Sequence, residues 1–171
     1  MSRCLTIMAL TLCALPAPAR AQEPLVQSLR GLFDMTKQHI MATARELDEQ
    51  MYAYRPSDEV RSAGEILSHI ADGQLLFCSA AAGEPRSGSD SFEEANLTKA
   101  GTIRALDVAF AHCEAVYDRM TDADLGTGVE FFTGPNTAGG VLAFNSAHNY
   151  EHYGNLVTYM RLNGLLPPSS R

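Results

Sequence analysis

The sequence predicts an all-α protein that folds as a four-helix bundle. Four segments carry apolar residues at steps of three and four, which is the period of one buried helix face. They run from Pro24 to Leu47, from Ala63 to about Gly83, from Thr98 to Met120 and from Ala138 to Asn163. Loops separate the segments and no internal repeat is found, so we expect the four helices to share one core.

Local signals support the boundaries of these helices. Ser62 and Glu65 have the spacing of a capping box, so the second helix is expected to begin directly after Ser62. Pro56 disfavours helical angles in the residue before it, which predicts an irregular stretch from Tyr52 to Arg61. Gly164 suits the left-handed residue that ends the fourth helix.

The connections differ in length, and this constrains the topology. Residues Gly83 to Asn96 carry Gly, Pro, Ser and acidic residues without a period, which predicts a surface connection of about 15 residues. Such a length favours a crossover between the second and third helices over a hairpin. The segment from Asp122 to Thr137 holds a short apolar run among glycines, which predicts at most a small β-hairpin.

The first 21 residues are typical of a signal peptide. Arg3 precedes an apolar run from Leu5 to Leu15, and Ala19-Arg20-Ala21 places small residues where a signal peptidase reads. We expect cleavage after Ala21, a periplasmic or secreted protein, and a mature domain of residues 22–171. The apolar run has about half of the roughly 20 residues that span a bilayer, which disfavours a retained transmembrane helix.

Composition excludes several classes of partner. Thirteen Lys and Arg against twenty Asp and Glu give a formal net charge of −7. Such a chain lacks the cationic surface that neutralises nucleic-acid phosphates or binds an anionic membrane. We therefore expect no nucleic-acid partner and no membrane attachment after signal cleavage. A hydrophobic content of 46% over 171 residues is sufficient for one core and excludes disorder as the main state.

Two cysteines, Cys78 and Cys113, remain after the predicted cleavage. Export would place them in a compartment where disulfides form and persist, so an even pair suggests a bridge. The alternative is that both are small buried hydrophobic side chains.

The fourth helix carries a polar stripe where a core-facing stripe is expected. Its members follow Val141 at helical steps and are Asn145, His148, His152, Asn155 and Tyr159. Burying unpaired amides and imidazoles costs roughly 1–3 kcal/mol each, so the stripe is expected to line a wet cavity or to bind something. His148 and His152 lie one turn apart and can converge on one ion, and the second helix adds His69 on its inward face. The alternative is an exposed histidine pair that needs no ligand.

Polar residues near the histidines complete the predicted site. We expect Glu65, Asn145 and Asn155 to support the ligands through hydrogen bonds. Glu151 or Asp72 is the candidate catalytic carboxylate that would move protons. Three imidazoles leave a coordination position open, as in catalytic zinc sites. Each of the five polar residues could equally be a solvated helix residue.

These residues resemble the DinB-like family of metal-binding bundles. The likeness rests on His69 within Glu65–Asp72, on the segment His148–Asn155 and on the closing segment Tyr159–Pro168, and it extends over essentially the whole mature chain. The resemblance implies an up-down-down-up bundle with a long crossover between helices two and three. It also implies a divalent ion, zinc or nickel, with three ligands: His69, His148 and His152.

The same resemblance bears on the cysteines and on the activity. Parallel second and third helices would bring Cys78 and Cys113 to the same end of the bundle. Members of the family include S-transferases that use low-molecular-weight thiols, a mycothiol-dependent isomerase and proposed hydrolases. Small thiols are scarcer outside the cytoplasm, so predicted export makes thiol transfer less suited to this chain.

Three functions are compatible with the sequence. The first is a metal-dependent enzyme, of hydrolase or transferase type, that acts on a small molecule in the cell envelope. The second is a non-catalytic protein that binds a metal or a small ligand. The third is a structural module whose leftover apolar surface forms a homodimer, an association that the family resemblance also suggests.

Overall fold

Four long helices dominate the described part of the chain, which comprises residues 23–86, 88, 91–95 and 98–171 of a computed structural model. The helices, with a short second one, are α1 (Pro24–Glu46), α2 (Glu49–Ala53), α3 (Ala63–Ala81), α4 (Lys99–Arg119) and α5 (Ala138–Leu162). An antiparallel hairpin of β1 (Gly128–Phe131) and β2 (Gly134–Thr137) leads into α5. The predicted all-α four-helix bundle is confirmed.

Contacts between the long helices give their relative directions. The pairs are Arg30–Asp118 and Arg45–Asp107 for α1 with α4, Thr36–Asn149 and His39–Tyr153 for α1 with α5, and Gln74–Asn145 and His69–His152 for α3 with α5. Residue numbers rise together only for α1 with α5, so these two helices are parallel. The other two pairs are antiparallel. The chain therefore runs up, down, down and up, with a long crossover between α3 and α4, as predicted.

The helix ends follow from side chains near each terminus. Ser62 and Glu65 form the predicted capping box at the start of α3, which satisfies two backbone N–H groups. Thr98 and Thr137 accept hydrogen bonds from the first turns of α4 and α5. Gly164 has a φ of +73° and directs the chain away after α5, as expected for a left-handed stop.

Helix α2 precedes the irregular stretch predicted from Tyr52 to Arg61 and overlaps its first two residues. Asp48 caps this helix by accepting a hydrogen bond from the backbone N–H of Met51. Tyr52 then donates its hydroxyl to the Ala44 carbonyl, which ties α2 to α1. Five residues are too few to show a helical period, so the sequence pattern did not indicate this element.

A shared core and one disulfide hold the helices together. Phe33 of α1 contacts the rings of Phe110 and Tyr117 in α4, and all three side chains are buried. Cys78 of α3 and Cys113 of α4 form a disulfide with a Cα–Cα distance of 5.3 Å. The predicted bridge is present, and both sulfurs lie in the core.

The predicted signal peptide, residues 1–21, lies outside the described residues. Cleavage after Ala21 and the mature boundary therefore stay predictions. Within the ranges that the structure describes, no helix combines the length and apolar character needed to cross a bilayer.

Candidate metal centre

Three imidazoles meet between α3 and α5. The Nε2 atom of His148 lies 3.2 Å from Nε2 of His69 and 3.1 Å from Nε2 of His152. His148 and His152 lie on one face of α5 because they are one turn apart, and α3 brings His69 opposite them. His148 and His152 are nearly buried, whereas the side chain of His69 is 27% exposed. The sequence-predicted triad is therefore brought together.

The ligand atoms of the three histidines lie within 4.8 Å of one another, and the two Nε2 separations that involve His148 fit one coordination shell. Donors about 2.0–2.1 Å from a zinc ion would lie about 3.4 Å apart in a tetrahedron and about 2.9 Å apart in an octahedron. The two Nε2 separations, 3.1 and 3.2 Å, fall between these values. Hydrogen bonds alone cannot satisfy the cluster, because Nε2 of His148 has either one proton or one lone pair and faces two neighbouring Nε2 atoms. A cation can accept all three lone pairs, so the residues fit a divalent metal ion.

Glu93 fixes the orientation of His69. Its Oε2 atom lies 2.9 Å from Nδ1 of His69, and its Oε1 accepts a hydrogen bond from Nε of Arg61 at 2.6 Å. A proton on Nδ1 leaves the lone pair of Nε2 free, which is the tautomer that a metal ligand requires. Glu93 lies in the crossover between α3 and α4, where the sequence shows no period, so sequence reasoning missed it.

The bundle keeps the two histidines of α5 neutral. Burial, together with nearby His152 and His69, lowers the pKa of the His148 imidazole to about 3. Burial also lowers the pKa of His152 to about 4, with His69 acting in the same direction and Glu151 opposing it. Both rings are therefore uncharged at pH 7, and their lone pairs are available to a cation.

A glycine on α3 makes room for the ring of His148. A Cβ atom at Gly73 would lie 2.9 Å from Cε1 and 3.2 Å from Nδ1 of this ring. Gly73 lies one turn after His69, so its bare backbone allows the α5 imidazole to approach the α3 ligand. No local signal in the sequence indicates this packing.

Two of the predicted supporting residues contact other groups. Glu65 completes the capping box of α3 and pairs with Arg55 at 2.8 Å. Asn145 exchanges hydrogen bonds with the fully buried Gln74. Gln74 also donates to Asn149, so these buried amides hold α3 and α5 in register beneath the histidines. Neither Glu65 nor Asn145 is hydrogen-bonded to an imidazole of the triad.

The two candidate catalytic carboxylates lie in different surroundings. Asp72 is oriented toward the crossover, where its oxygens accept four hydrogen bonds. A carboxylate has about four lone-pair positions, so little capacity remains for a moving proton. Glu151 is exposed, and in the described residues it has neither a hydrogen bond nor an ion pair.

A cleft of about 480 Å³ opens beside His152. Its lining includes Glu151, the predicted Asn155 and the hydroxyl-bearing Tyr159. The other lining residues are Glu59, Val60, Arg61, Ile66 and Glu93. Because Glu93 also contacts His69, one wall of the cleft is continuous with the triad. Glu151 and Asn155 therefore lie where a molecule next to the histidines would meet them.

Aromatic rings cover the opposite side of His148. Phe77 and Phe144 contact its imidazole with ring-centroid distances of 5.0 and 6.3 Å. Phe131 and Phe132 of the hairpin region pack on these rings, and Phe132 is 65% exposed. This packing places the hairpin against the start of α5 and contributes to the burial of His148.

Fold and site together define a helical bundle with a three-histidine cluster between two antiparallel helices. Residues 32–156 match the family model described as the DinB superfamily. Since this match extends over well more than half of the chain, the protein belongs to the DinB superfamily. No curated protein sequence matches the chain.

Solved structures share the fold at low sequence identity. A DinB-like protein from Bacillus cereus matches with a TM-score of 0.70 and 18% identity, over 83% of this chain and 95% of that one. A DinB-like protein from Bacillus subtilis matches with a TM-score of 0.65 and 20% identity, over 81% and 93%. A mycothiol-dependent maleylpyruvate isomerase matches with a TM-score of 0.64 and 14% identity, over 77% of this chain and 60% of that enzyme. At such identities the likeness concerns the fold alone.

Proposed function

We propose that the protein is a metal-dependent enzyme that acts on a small molecule in the cell envelope. His69, His148 and His152 would hold the divalent ion, and zinc or nickel suits three imidazole donors. The observation that carries the proposal is the convergence of three imidazoles whose ligand atoms lie within 4.8 Å of one another, with Nε2 of His148 at 3.2 and 3.1 Å from Nε2 of His69 and His152. A divalent ion held in this way supplies Lewis-acid chemistry and keeps coordination positions open.

The surrounding residues support a catalytic use of the site. Glu93 holds His69 in one tautomer, and burial keeps the other two rings neutral. Glu151 is the group best suited to move a proton, because its carboxylate borders the cleft and is not paired in the described residues. Asn155 can orient a polar molecule in the same cleft, and the Tyr159 hydroxyl, which donates to the Arg61 carbonyl at 2.9 Å, can accept a hydrogen bond there.

The size of the cleft favours a small substrate. Its volume of about 480 Å³ lies within the range of about 300–1,000 Å³ that is common for small-molecule pockets. Arg61, the only cationic side chain among the described residues of its lining, is already paired with Glu93 at 2.6 Å. A neutral polar substrate is therefore favoured over one with several negative charges.

Hydrolysis is the favoured type of reaction. Water is available in every compartment, whereas transfer reactions of thiols need a cosubstrate that is scarce outside the cytoplasm. Predicted export of the chain therefore supports a hydrolase over a thiol transferase. This preference depends on the signal peptide and is independent of the geometry of the triad.

Metal analysis of the purified protein tests the ligand assignment. We expect one equivalent of zinc or nickel in the native protein and in His112→Ala, because His112 bonds Ser79 away from the triad. His69→Ala, His148→Ala and His152→Ala should each lose most of the metal while remaining helical by circular dichroism. Stoichiometric metal in any of these three variants would remove that residue from the ligand set.

Turnover separates an enzyme from a binding protein. Esters, amides and thiol-transfer substrates should be screened with native protein, with protein stripped by a chelator and after metal is restored. We expect hydrolysis that disappears on stripping, returns with metal and falls at least tenfold in Glu151→Gln. A protein that holds stoichiometric metal but turns over no substrate would be a binding protein instead.

Location and association have separate tests. Export predicts that the mature protein from the cell envelope begins at Gln22, which N-terminal sequencing can check. Protein that retains residues 1–21 and is found in the cytoplasm would contradict export. A homodimer predicts twice the monomer mass in sedimentation equilibrium.

A further inference from the structure

Asp72 has an unusually complete set of hydrogen bonds for a carboxylate near the surface. Its Oδ1 accepts from Nη2 of Arg86 at 2.7 Å and from the backbone N–H of Phe92 at 3.0 Å. Its Oδ2 accepts from the Ser91 hydroxyl at 2.7 Å and from the backbone N–H of Glu93 at 3.0 Å. All four donors belong to the crossover, while Asp72 itself lies on α3, one turn from His69.

These contacts fix the backbone of a single turn, residues 91–95. Ser91 also accepts a hydrogen bond from the backbone N–H of Glu94, and the Ala95 N–H bonds the Ser91 carbonyl. The side chain of Phe92 packs against the core. Two consecutive backbone N–H groups of the turn are thus held by one carboxylate, and the second belongs to Glu93.

The side chain of Glu93 extends from this fixed point to the triad. Its carboxylate lies between Arg61 and Nδ1 of His69, at 2.6 and 2.9 Å. A hydrogen bond at 2.9 Å depends on the donor and acceptor keeping their positions to within a few tenths of an ångström. A displaced backbone at residue 93 would therefore release His69 before it affected the buried core.

We infer that Asp72 is a positioning residue that sets the orientation of His69 through Glu93. The Asp72 carboxylate itself bonds the crossover and no histidine of the triad. Its consequence for metal affinity rests on the proposed function, whereas its consequence for the His69 ring holds in the metal-free protein as well. Carboxylates that orient a ligating histidine typically change metal affinity by about 10–100-fold.

A double-mutant cycle on zinc affinity tests whether Asp72 acts through Glu93. Glu93→Gln should weaken zinc binding by about 10–100-fold, and Asp72→Asn by about tenfold, because an amide nitrogen would replace one of the two accepting oxygens. Since Asp72 acts through Glu93, the double variant should bind zinc within about twofold of Glu93→Gln alone. The visible spectrum of bound Co²⁺ should change in both single variants.

Asp122 offers a matched control. Its carboxylate also accepts backbone N–H bonds from a distant segment, at Leu25 and Val26, but the contact lies at the start of α1. Asp122→Asn should therefore lower the unfolding temperature without moving zinc affinity by more than about twofold. Equal losses of zinc affinity in Asp122→Asn and Asp72→Asn would reduce the effect to general destabilisation and overturn the inference.

A measurement without metal keeps the two proposals apart. Long-range proton–nitrogen NMR on the metal-free protein should report His69 with its proton on Nδ1, in a hydrogen bond that Asp72→Asn weakens. An unchanged Nδ1 proton in Asp72→Asn, or additive losses of zinc affinity in the double variant, would overturn the inference. Failure of the native protein to bind either zinc or nickel, with the NMR change present, would overturn the proposed function alone.

Discussion

Replacing Gly73 with alanine tests whether the candidate metal centre requires the close approach of α3 to His148. The new Cβ would lie 2.9 Å from Cε1 of His148 and 3.1 Å from Cε2 of Phe77. Carbon atoms in contact normally lie about 3.5–4.0 Å apart, so the ring of His148 must move by roughly half an ångström or more. Ligand distances in metal sites tolerate about 0.2 Å, and we therefore expect zinc affinity to fall about 10–100-fold.

The stability of the same variant has two opposing contributions. Alanine improves helix propensity over glycine by about 1 kcal/mol, while overpacking costs about 1–3 kcal/mol. We expect metal-free Gly73→Ala to be less stable than the native protein by about 1 kcal/mol. Gly154→Ala is the control, because this glycine lies on α5 two residues after His152 and a Cβ there meets nothing within 4 Å. That variant should gain about 0.5–1 kcal/mol.

Urea unfolding and competitive zinc titration measure both quantities on the same samples. The predicted pattern is a stabilised Gly154→Ala with native zinc affinity and a destabilised Gly73→Ala with weak zinc binding. Equal stabilisation of both variants, with equal zinc affinity, would refute the packing argument at Gly73. It would also remove the approach of α3 to His148 as a requirement of the site.

Three further predictions concern stability. In the unfolded chain His148 and His152 become protonated below about pH 6.5, whereas in the folded protein their pKa values are about 3 and 4. Their contribution to the free energy of unfolding is therefore fully present above about pH 6.5 and falls as the pH decreases. Metal-free protein should lose about 2 kcal/mol per histidine between pH 7 and 5 in urea unfolding, and a variant with alanine at both positions should lose this dependence. Replacing Cys78 and Cys113 with alanine opens a loop of 35 residues and should lower the free energy of unfolding by about 4 kcal/mol. Equal unfolding midpoints for the native and double-alanine proteins would contradict this. Gln74→Leu leaves the side-chain oxygens of the buried Asn145 and Asn149 without their hydrogen-bond donor and should cost about 3 kcal/mol in thermal unfolding, whereas a neutral change would refute the buried amide network.

Much of the fold could be predicted because the decisive signals are local. Apolar residues at steps of three and four place the long helices, and Ser62 with Glu65 fixes the start of α3. The directions of the helices required long-range contacts such as Thr36 with Asn149, which no spacing reveals. The resemblance to a family supplied this topology in advance of the contacts.

The site divides in the same way. His148 and His152 are one turn apart, so helical geometry alone puts them together, and His69 is indicated by its place on an inward stripe. Glu93 could not be predicted, since its position depends on a turn in an aperiodic connection. Asn145 is polar and inward as expected, yet it bonds Gln74, whose amide supplies both the donor and the acceptor that the Asn145 amide needs.

The separation of the histidines along the chain would couple metal binding to completion of the fold. His69 and His148 are 79 residues apart, so the unfolded chain offers a cation only the weak chelate of two histidines on one segment. An ion present at a thousandfold its dissociation constant would favour the native state by about 4 kcal/mol. In a metal-poor environment the same protein would spend more time open, which makes its susceptibility to proteases a reporter of available metal.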